Sequence, residues 1–457
     1  MSLFPRTTSL NFTLRQIKLH IHKTLKRSAV QLKSGVQLSD EQLELYKFLE
    51  QSNKNTFITG KAGTGKSVLL KHFVANTSKQ VVVVAPTGIA AMNIKGQTIH
   101  SLFNLKPGLI DLQKIIISDE TRQLLRHVDA IVIDEVSMVR ADVIDGLDRI
   151  LKAVKKRKIA FGGVQIIAFG DVYQLPPVVE SVQLKQYFMD TRSGPYFFNA
   201  NVWQDSDLQI RELQTVFRQS NKQFKAILDA IRNGAPSQSD FETLHKRVTR
   251  ENELPKGDYL TLTSTNAAAK RVNDARLALL QTKTKVYEAK TSGSIRSSSF
   301  PTDAKLMLKI GAQVIFLKND PAKRWVNGAL GTVVSLSKGS VHVRYHGRVF
   351  EIFPDTWEKS SYFYDEKTKT LKQEIVGEFS QIPLRLAWAI TIHKSQGCSY
   401  SRVAVDLRDG AFAHGQTYVA LSRCRTLTGL YLLGEIKLRD IIVERAVVEF
   451  MMTNQHS

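Results

Sequence analysis

An α/β chain of two parallel-sheet lobes, the second interrupted by a small β-barrel, is the fold class this sequence predicts. Three observations predict it. Gly60-Lys61-Ala62-Gly63-Thr64-Gly65-Lys66-Ser67 stands between the apolar Thr56-Phe57-Ile58-Thr59 and the helix-forming Val68-Leu69-Leu70-Lys71-His72-Phe73, the strand, loop and helix that together cradle phosphate. Short apolar strands recur, and strands apolar on both faces belong to parallel sheets covered on both sides. Between residues 306 and 379 the texture changes to short strands joined by Gly turns, which reads as a barrel.

In chain order, the first 35 residues carry Arg6, Arg15, Lys18, Lys23, Lys26, Arg27 and Lys33 and no acid. They are either a basic arm for nucleic acid or an organelle transit peptide. Folded structure begins near Leu38-Ser39-Asp40-Glu41-Gln42, where Ser39 and Gln42 have capping-box spacing. In the phosphate loop, Gly60, Gly63 and Gly65 let the backbone curl so that N–H groups, including those around Ala62 and Thr64, face one anion. Lys66 reaches the outer phosphates and Ser67 can ligate magnesium. ATP and Mg2+ are therefore the expected cofactors.

The same grammar then repeats. Val81-Val82-Val83-Val84 leads into Ala85-Pro86-Thr87-Gly88, Ala130-Ile131-Val132-Ile133 into Asp134-Glu135, and Gln165-Ile166-Ile167-Ala168-Phe169 into Gly170-Asp171-Val172-Tyr173-Gln174. Each delivers polar residues at the strand's C-terminal end, where open parallel sheets bind ligands. Asp134 is expected to hold the metal and Glu135 to orient and deprotonate the attacking water. Gln174 either senses the terminal phosphate through its amide or is a polar loop residue before Pro176-Pro177. Arg218 and Arg423 are candidates to bring positive charge from a separate lobe against the transferring phosphoryl group; each also reads as a surface arginine in an ion pair.

Tyr259-Leu260-Thr261-Leu262, Leu384-Arg385-Leu386-Ala387, Val403-Ala404-Val405-Asp406 and Leu430-Tyr431-Leu432-Leu433 outline a second sheet without a phosphate loop of its own. The expected boundaries are 1–36 for the basic arm, 37–210 for the first lobe, 211–305 and 381–457 for the second, and 306–380 for the barrel. A polar barrel tip at Lys323, Arg324 and Trp325 is either a nucleic-acid contact or a solvated loop.

Composition bounds the partners. A formal net charge of +22 creates a field that attracts polyanions, of which nucleic acid is the commonest. Residues 81–92 come nearest to a membrane-length apolar run and are broken by Pro86, Thr87 and Gly88, so no membrane partner is expected. Cys398 and Cys424 are too few for a disulfide framework or a four-ligand zinc site, which points to a reducing compartment and away from secretion.

Taken together, Gly60 to Ser67, Ala85-Pro86-Thr87-Gly88-Ile89-Ala90-Ala91, Thr98-Ile99-His100-Ser101, Val132-Ile133-Asp134-Glu135, Gly170-Asp171-Val172-Tyr173-Gln174-Leu175-Pro176-Pro177, Phe217-Arg218-Gln219, Thr391-Ile392-His393-Lys394-Ser395-Gln396-Gly397 and Tyr418-Val419-Ala420-Leu421-Ser422-Arg423 resemble the Pif (petite integration frequency) DNA helicases. These are the RecD-like, 5′-to-3′ branch of helicase superfamily 1. Residues 142–158, ending in Lys155-Lys156-Arg157-Lys158, follow that family's pattern only loosely.

The resemblance implies two RecA-like P-loop NTPase domains with an inserted SH3-like barrel. It implies an ATP-dependent helicase that moves on single-stranded DNA, unwinds tailed or forked duplexes in replication, repair, recombination or telomere maintenance, and acts as a monomer. It implies Gln42 at adenine, Arg218 and Arg423 as arginine fingers, and Thr87, His100, Asn266, His393 and Lys394 facing DNA or coupling it to ATP. Thr87 also reads as a helix cap, and His100 and His393 as buried histidines. The location implied is the cytoplasm of a bacterium, or otherwise a nucleus or mitochondrion. A nucleotide-switched nucleic-acid clamp and an RNA-directed ATPase are the competing readings.

Overall fold

The computed structural model describes residues 38–453 apart from 107, 180, 220, 255–258, 296, 298–299 and 366; the basic N-terminal segment lies outside the described residues. Among them the chain opens with helix α1 (Asp40–Gln51) and a sheet of six parallel strands, β1 (Asn55–Gly60), β2 (Val81–Ala85), β3 (Gln97–Thr98), β4 (Ala130–Ile133), β5 (Gln165–Phe169) and β6 (Leu208–Leu213), in the order β3-β2-β4-β5-β1-β6. The apolar runs within the central strands explain the layering. Phe57, Val82, Val84, Ile131, Ile133 and Ile166 point into one core. Their neighbours Ile58, Val83, Val132 and Ile167 point into the core on the other face. Alternate side chains are buried on opposite sides.

The second sheet is parallel and runs in the order Ala389–Thr391, Leu260–Thr263, Val403–Asp406, Leu430–Leu432. Leu384–Leu386, expected in this sheet, instead pairs antiparallel with Gln313–Phe316. A three-residue apolar strand carries too little pattern to choose its sheet, and the next strand along takes the predicted place. With Leu330–Leu336, Val341–Tyr345 and Arg348–Ile352 it completes a five-stranded antiparallel sheet. His346 (φ 47°) and Gly347 (φ 77°) turn the last hairpin, both in the left-handed region that a two-residue type I′ turn requires. Trp325, expected at a polar tip, is buried in this core with its ring 5.0 Å from Phe316. Arg324 lies over it, bound to Asp320 at 2.7 Å. An apolar bicyclic ring gains more from burial than from a solvated tip.

Two further elements cross between the lobes. The long hairpin Asp355–Asp365/Thr370–Gln381 reaches the first lobe, where Tyr362 OH accepts from Val83 N at 3.2 Å and Tyr364 stacks on His127 at 3.4 Å. At the other end, helix Arg445–Thr453 returns from the second lobe. Its Val447 and Met451 enter the first lobe's core, and Phe450 stacks on Phe198 at 4.1 Å. Among the described residues no helix is long and apolar enough to cross a membrane.

Candidate nucleotide and DNA site

The phosphate loop leaves β1, flanked by β5 and β6, and feeds helix α2 (Lys66–Asn76). Gly63 (φ +92°) and Gly65 (φ +83°) hold left-handed backbone, and Gly65 is the N-cap of α2. A Cβ at Gly63 would lie 2.4 Å from Arg218 Cβ, and one at Gly65 2.4 Å from Gln42 Nε2. The loop is therefore a cradle that side chains would fill. Lys66 Nζ donates to Gly60 O at 2.5 Å and Lys61 O at 3.2 Å, which curls the loop around it. Burial lowers the Lys66 pKa, while Asp171 and Glu135 oppose the shift.

Gln42 makes the expected cap and also lies against the phosphate loop. Its Oε1 accepts from Ser39 N at 3.2 Å, closing the capping box, while Nε2 donates to Thr64 O at 3.2 Å and Gly65 O at 3.4 Å. Phe217 N donates to Gly63 O at 2.9 Å, which presses Arg218 against the loop. Gly63→Ala tests that contact. Left-handed strain and the Arg218 clash should weaken nucleotide binding about tenfold or more, read by titration with a fluorescent nucleotide. Parent-like affinity would show that the cradle yields.

Asp134 and Glu135 follow β4. Glu135 takes φ +50°, rare for a non-glycine, and its N–H donates to Asp134 Oδ1 at 3.0 Å. Burial and then the neighbouring Asp134 push the Glu135 pKa up to about 7, against the pull of Lys66 and Arg423. Burial also raises that of Asp134. Ser67, Asp134 and Glu135 line one cleft. A hydroxyl and carboxylates are the hard donors magnesium takes, with phosphate and water completing its shell. Among the described residues no group of three or more His, Cys, Asp or Glu forms a metal cage of its own.

Three arginines lie near the phosphate loop and the acid pair: the charges of Arg232 and Arg218 act on Lys66, and that of Arg423 on Glu135. Arg423, in the turn after helix Gln416–Ser422, is 1% exposed. Its guanidinium donates to Val419 O at 2.9 Å, Ser422 Oγ at 2.8 Å, Cys398 O at 3.3 Å and Ser395 O at 3.4 Å. Arg218 Nη1 reaches Ser422 O at 3.4 Å; burial and then nearby Arg423 lower its pKa to about 10. Neither arginine makes an ion pair among the described residues, so the surface-pair reading of both is set aside. The third is Arg232, at the end of the second-lobe helix Lys222–Arg232, which contacts Asp171. Gln174 Nε2 donates to the other oxygen of Asp171 at 3.2 Å.

Several participants had no role assigned from sequence. Asp171 lay inside a recognised motif without one. Arg232 looks like an ordinary basic residue at a helix C-terminus, and Tyr418 like a core aromatic. Yet the Tyr418 hydroxyl accepts from Ala62 N at 3.0 Å, and Lys61 Nζ meets Asp229 Oδ2 at 2.7 Å, so the second lobe touches the phosphate loop directly.

Thr87, His393 and Lys394 line the same cleft of about 1410 Å³ as Ser67, Asp134 and Glu135, together with Lys318, Arg385 and Arg402. Thr87 also caps helix Gly88–Asn93, accepting from Ala90 N at 3.2 Å. Burial lowers the pKa of His393 and of Lys394. His100, in helix Ile99–Leu102, faces the charges of Arg140 and Asp142. Asn266 is the exposed first residue of helix Asn266–Ala278. Neither is among the residues lining that cleft.

Comparison with known proteins follows this geometry. The PIF1-like helicase family model matches residues 37–242. The chain is 35% identical to the ATP-dependent DNA helicase Pif1 of Bdellovibrio bacteriovorus over 91% of its own length and 92% of that protein's. It spans only 62% of the Xenopus laevis ATP-dependent DNA helicase PIF1, at 34% identity over 89% of this chain. Among solved structures it resembles Bacteroides sp Pif1 in complex with ADP-AlF4, with a TM-score of 0.86, 35% identity and coverage of 92% and 98% of the two chains. Against Bacteroides Pif1 bound to ssDNA the TM-score is 0.66, again at 35% identity, covering 92% and 97%. A phosphate cradle, a strand-end acid pair and second-lobe arginines meeting at one seam, on a chain matched over nine-tenths of a relative's length, place this protein in the PIF1-like helicase family, as an ATP-dependent DNA helicase.

Proposed function

We propose that this helicase hydrolyses ATP in the seam between two RecA-like domains and steps 5′ to 3′ along single-stranded DNA, separating tailed or forked duplexes. The first domain is drawn from 37 to 213 rather than to the expected 210, because β6 pairs with β1. The second is 214–305 and 387–457. An SH3-like barrel at 306–386 rather than 306–380 lies between those segments, because Leu384–Leu386 pairs with Gln313–Phe316. Support for the seam comes chiefly from contacts across it at the phosphate loop: the Tyr418 hydroxyl accepts from Ala62 N at 3.0 Å, and Lys61 Nζ meets Asp229 Oδ2 at 2.7 Å. Gln42 holds the adenine edge beside the loop and Lys66 the outer phosphates. Glu135 accepts the proton of the attacking water, and the Gln174 amide donates to the terminal phosphate. Arg218 and Arg423 neutralise charge as it develops on the transferring group. Ser67 and Asp134 would hold magnesium, which when bound would supply further positive charge beside the phosphates.

Lobe closure is then favoured while the terminal phosphate bridges the seam and disfavoured after its loss. Thr87, His393 and Lys394 grip DNA in the cleft that opens from the same seam, and His100 and Asn266 relay grip to closure. The protein works as a monomer in replication, repair, recombination or telomere maintenance. Duplexes with a 5′ or a 3′ tail test polarity: the 5′-tailed substrate should be unwound at least about tenfold faster, a difference in barrier of ~1.4 kcal/mol. Faster unwinding of the 3′-tailed substrate would reverse the assignment.

A further inference from the structure

Arg232 belongs to the second lobe, yet its guanidinium leaves it. Nη2 lies 3.3 Å from Asp171 Oδ1 and 3.6 Å from Glu212 Oε1, and the guanidinium carbon sits 4.0 Å from the Tyr173 ring centroid. All three partners are on the first lobe, with Glu212 on β6. The arginine is 6% exposed and Asp171 only 2%. Asp171 is a hub: Oδ1 takes Arg232 and Tyr173 N, while Oδ2 holds Gln174 Nε2. Arg232 Nε is buried without a partner among the described residues. A buried donor without a partner calls for an explanation, and a contact that forms and breaks across a seam supplies one.

The geometry points to Arg232 as a positioning residue. Its pairing with Asp171, made when the lobes close, aims the Gln174 amide at the terminal phosphate. Without Arg232, Asp171 is a buried, uncompensated carboxylate. Its carboxylate is then no longer held in one orientation, and the Gln174 amide that it anchors through Oδ2 turns with it. Closure of the second lobe thereby readies the first.

This inference rests on the phosphate-sensing reading of Gln174, and one experiment separates the two. Binding of ADP and of ADP with aluminium fluoride is measured on the full chain carrying Arg232→Met, Asp171→Asn, Gln174→Ala or Arg232→Met with Gln174→Ala. Arg232→Met and Asp171→Asn should bind ADP like the parent but lose about tenfold or more of the preference for the fluoride complex. The double variant should be no worse than Gln174→Ala alone, because both act on one amide. Steady-state ATPase should fall in kcat with little change in KM. If Gln174→Ala keeps the preference, the sensing reading fails. If Gln174→Ala loses it while Arg232→Met or Asp171→Asn keeps it, or if the two sites' effects multiply, the positioning role fails. Should Arg232→Met not fold, Asp171→Asn carries the decision with Arg232 in place.

Discussion

Glu135→Gln should hydrolyse ATP about 10² to 10⁴-fold more slowly than the parent in the presence of single-stranded DNA, with ADP affinity unchanged. The substitution keeps the side chain's size and removes only its capacity to take a proton. It also removes one of two adjacent buried carboxylates, each of which resists ionisation because burial disfavours its charge. The variant therefore loses chemistry without losing a stabilising charge, and its melting temperature should be at least that of the parent. Phosphate release and fluorescent-nucleotide titration read the two halves of the prediction. The same variant separates motor from clamp: it should hold tailed DNA and fail to unwind it. Parent-like turnover would move the proton acceptor to another group.

The chemistry was legible wherever one strand and the turn after it carried the whole signal. The phosphate loop, the acid pair after β4 and the Gly170 to Gln174 segment all lie at the ends of apolar strands, and parallel-sheet geometry gathers those ends. Gln42 shows that a capping residue can also brace the phosphate loop. One amide has an acceptor and a donor, and α1 uses the first for its own cap and the second for the loop. What stayed hidden depends on chain separation. Arg232 meets Asp171 across 61 residues and Tyr418 meets Ala62 across 356, and no local pattern encodes either pairing. The hairpin's hold on the first lobe and the return of helix Arg445–Thr453 to that lobe's core are hidden for the same reason. Both are packed by ordinary aromatic and aliphatic residues whose partner is decided by topology.

Arg423→Ala should cost the largest factor of all, about 10³ to 10⁵ in DNA-stimulated turnover, as expected when an arginine finger is removed. Here the structural and catalytic losses have to be told apart, because Arg423 donates to carbonyls of its own lobe that alanine leaves bare. Arg218→Ala makes the distinction. Among the described residues Arg218 makes a single long bond, to Ser422 O, and it is electrostatically opposed by Arg423. Two guanidinium groups gathered in a buried seam repel until an anion lies between them. Removing Arg218 should therefore leave the nucleotide-free protein as stable as the parent, or more so, while turnover still falls by about 10³. Arg423→Lys keeps the charge but not the planar fork that suits a phosphoryl group, and it should recover only a small part of the Arg423→Ala loss. On the proposed mechanism, in which arginines meeting phosphate drive closure, translocation should slow in step with hydrolysis. Folded Arg218 and Arg423 variants that still load nucleotide and travel along DNA at the parent's speed would break the link between the seam and the motor.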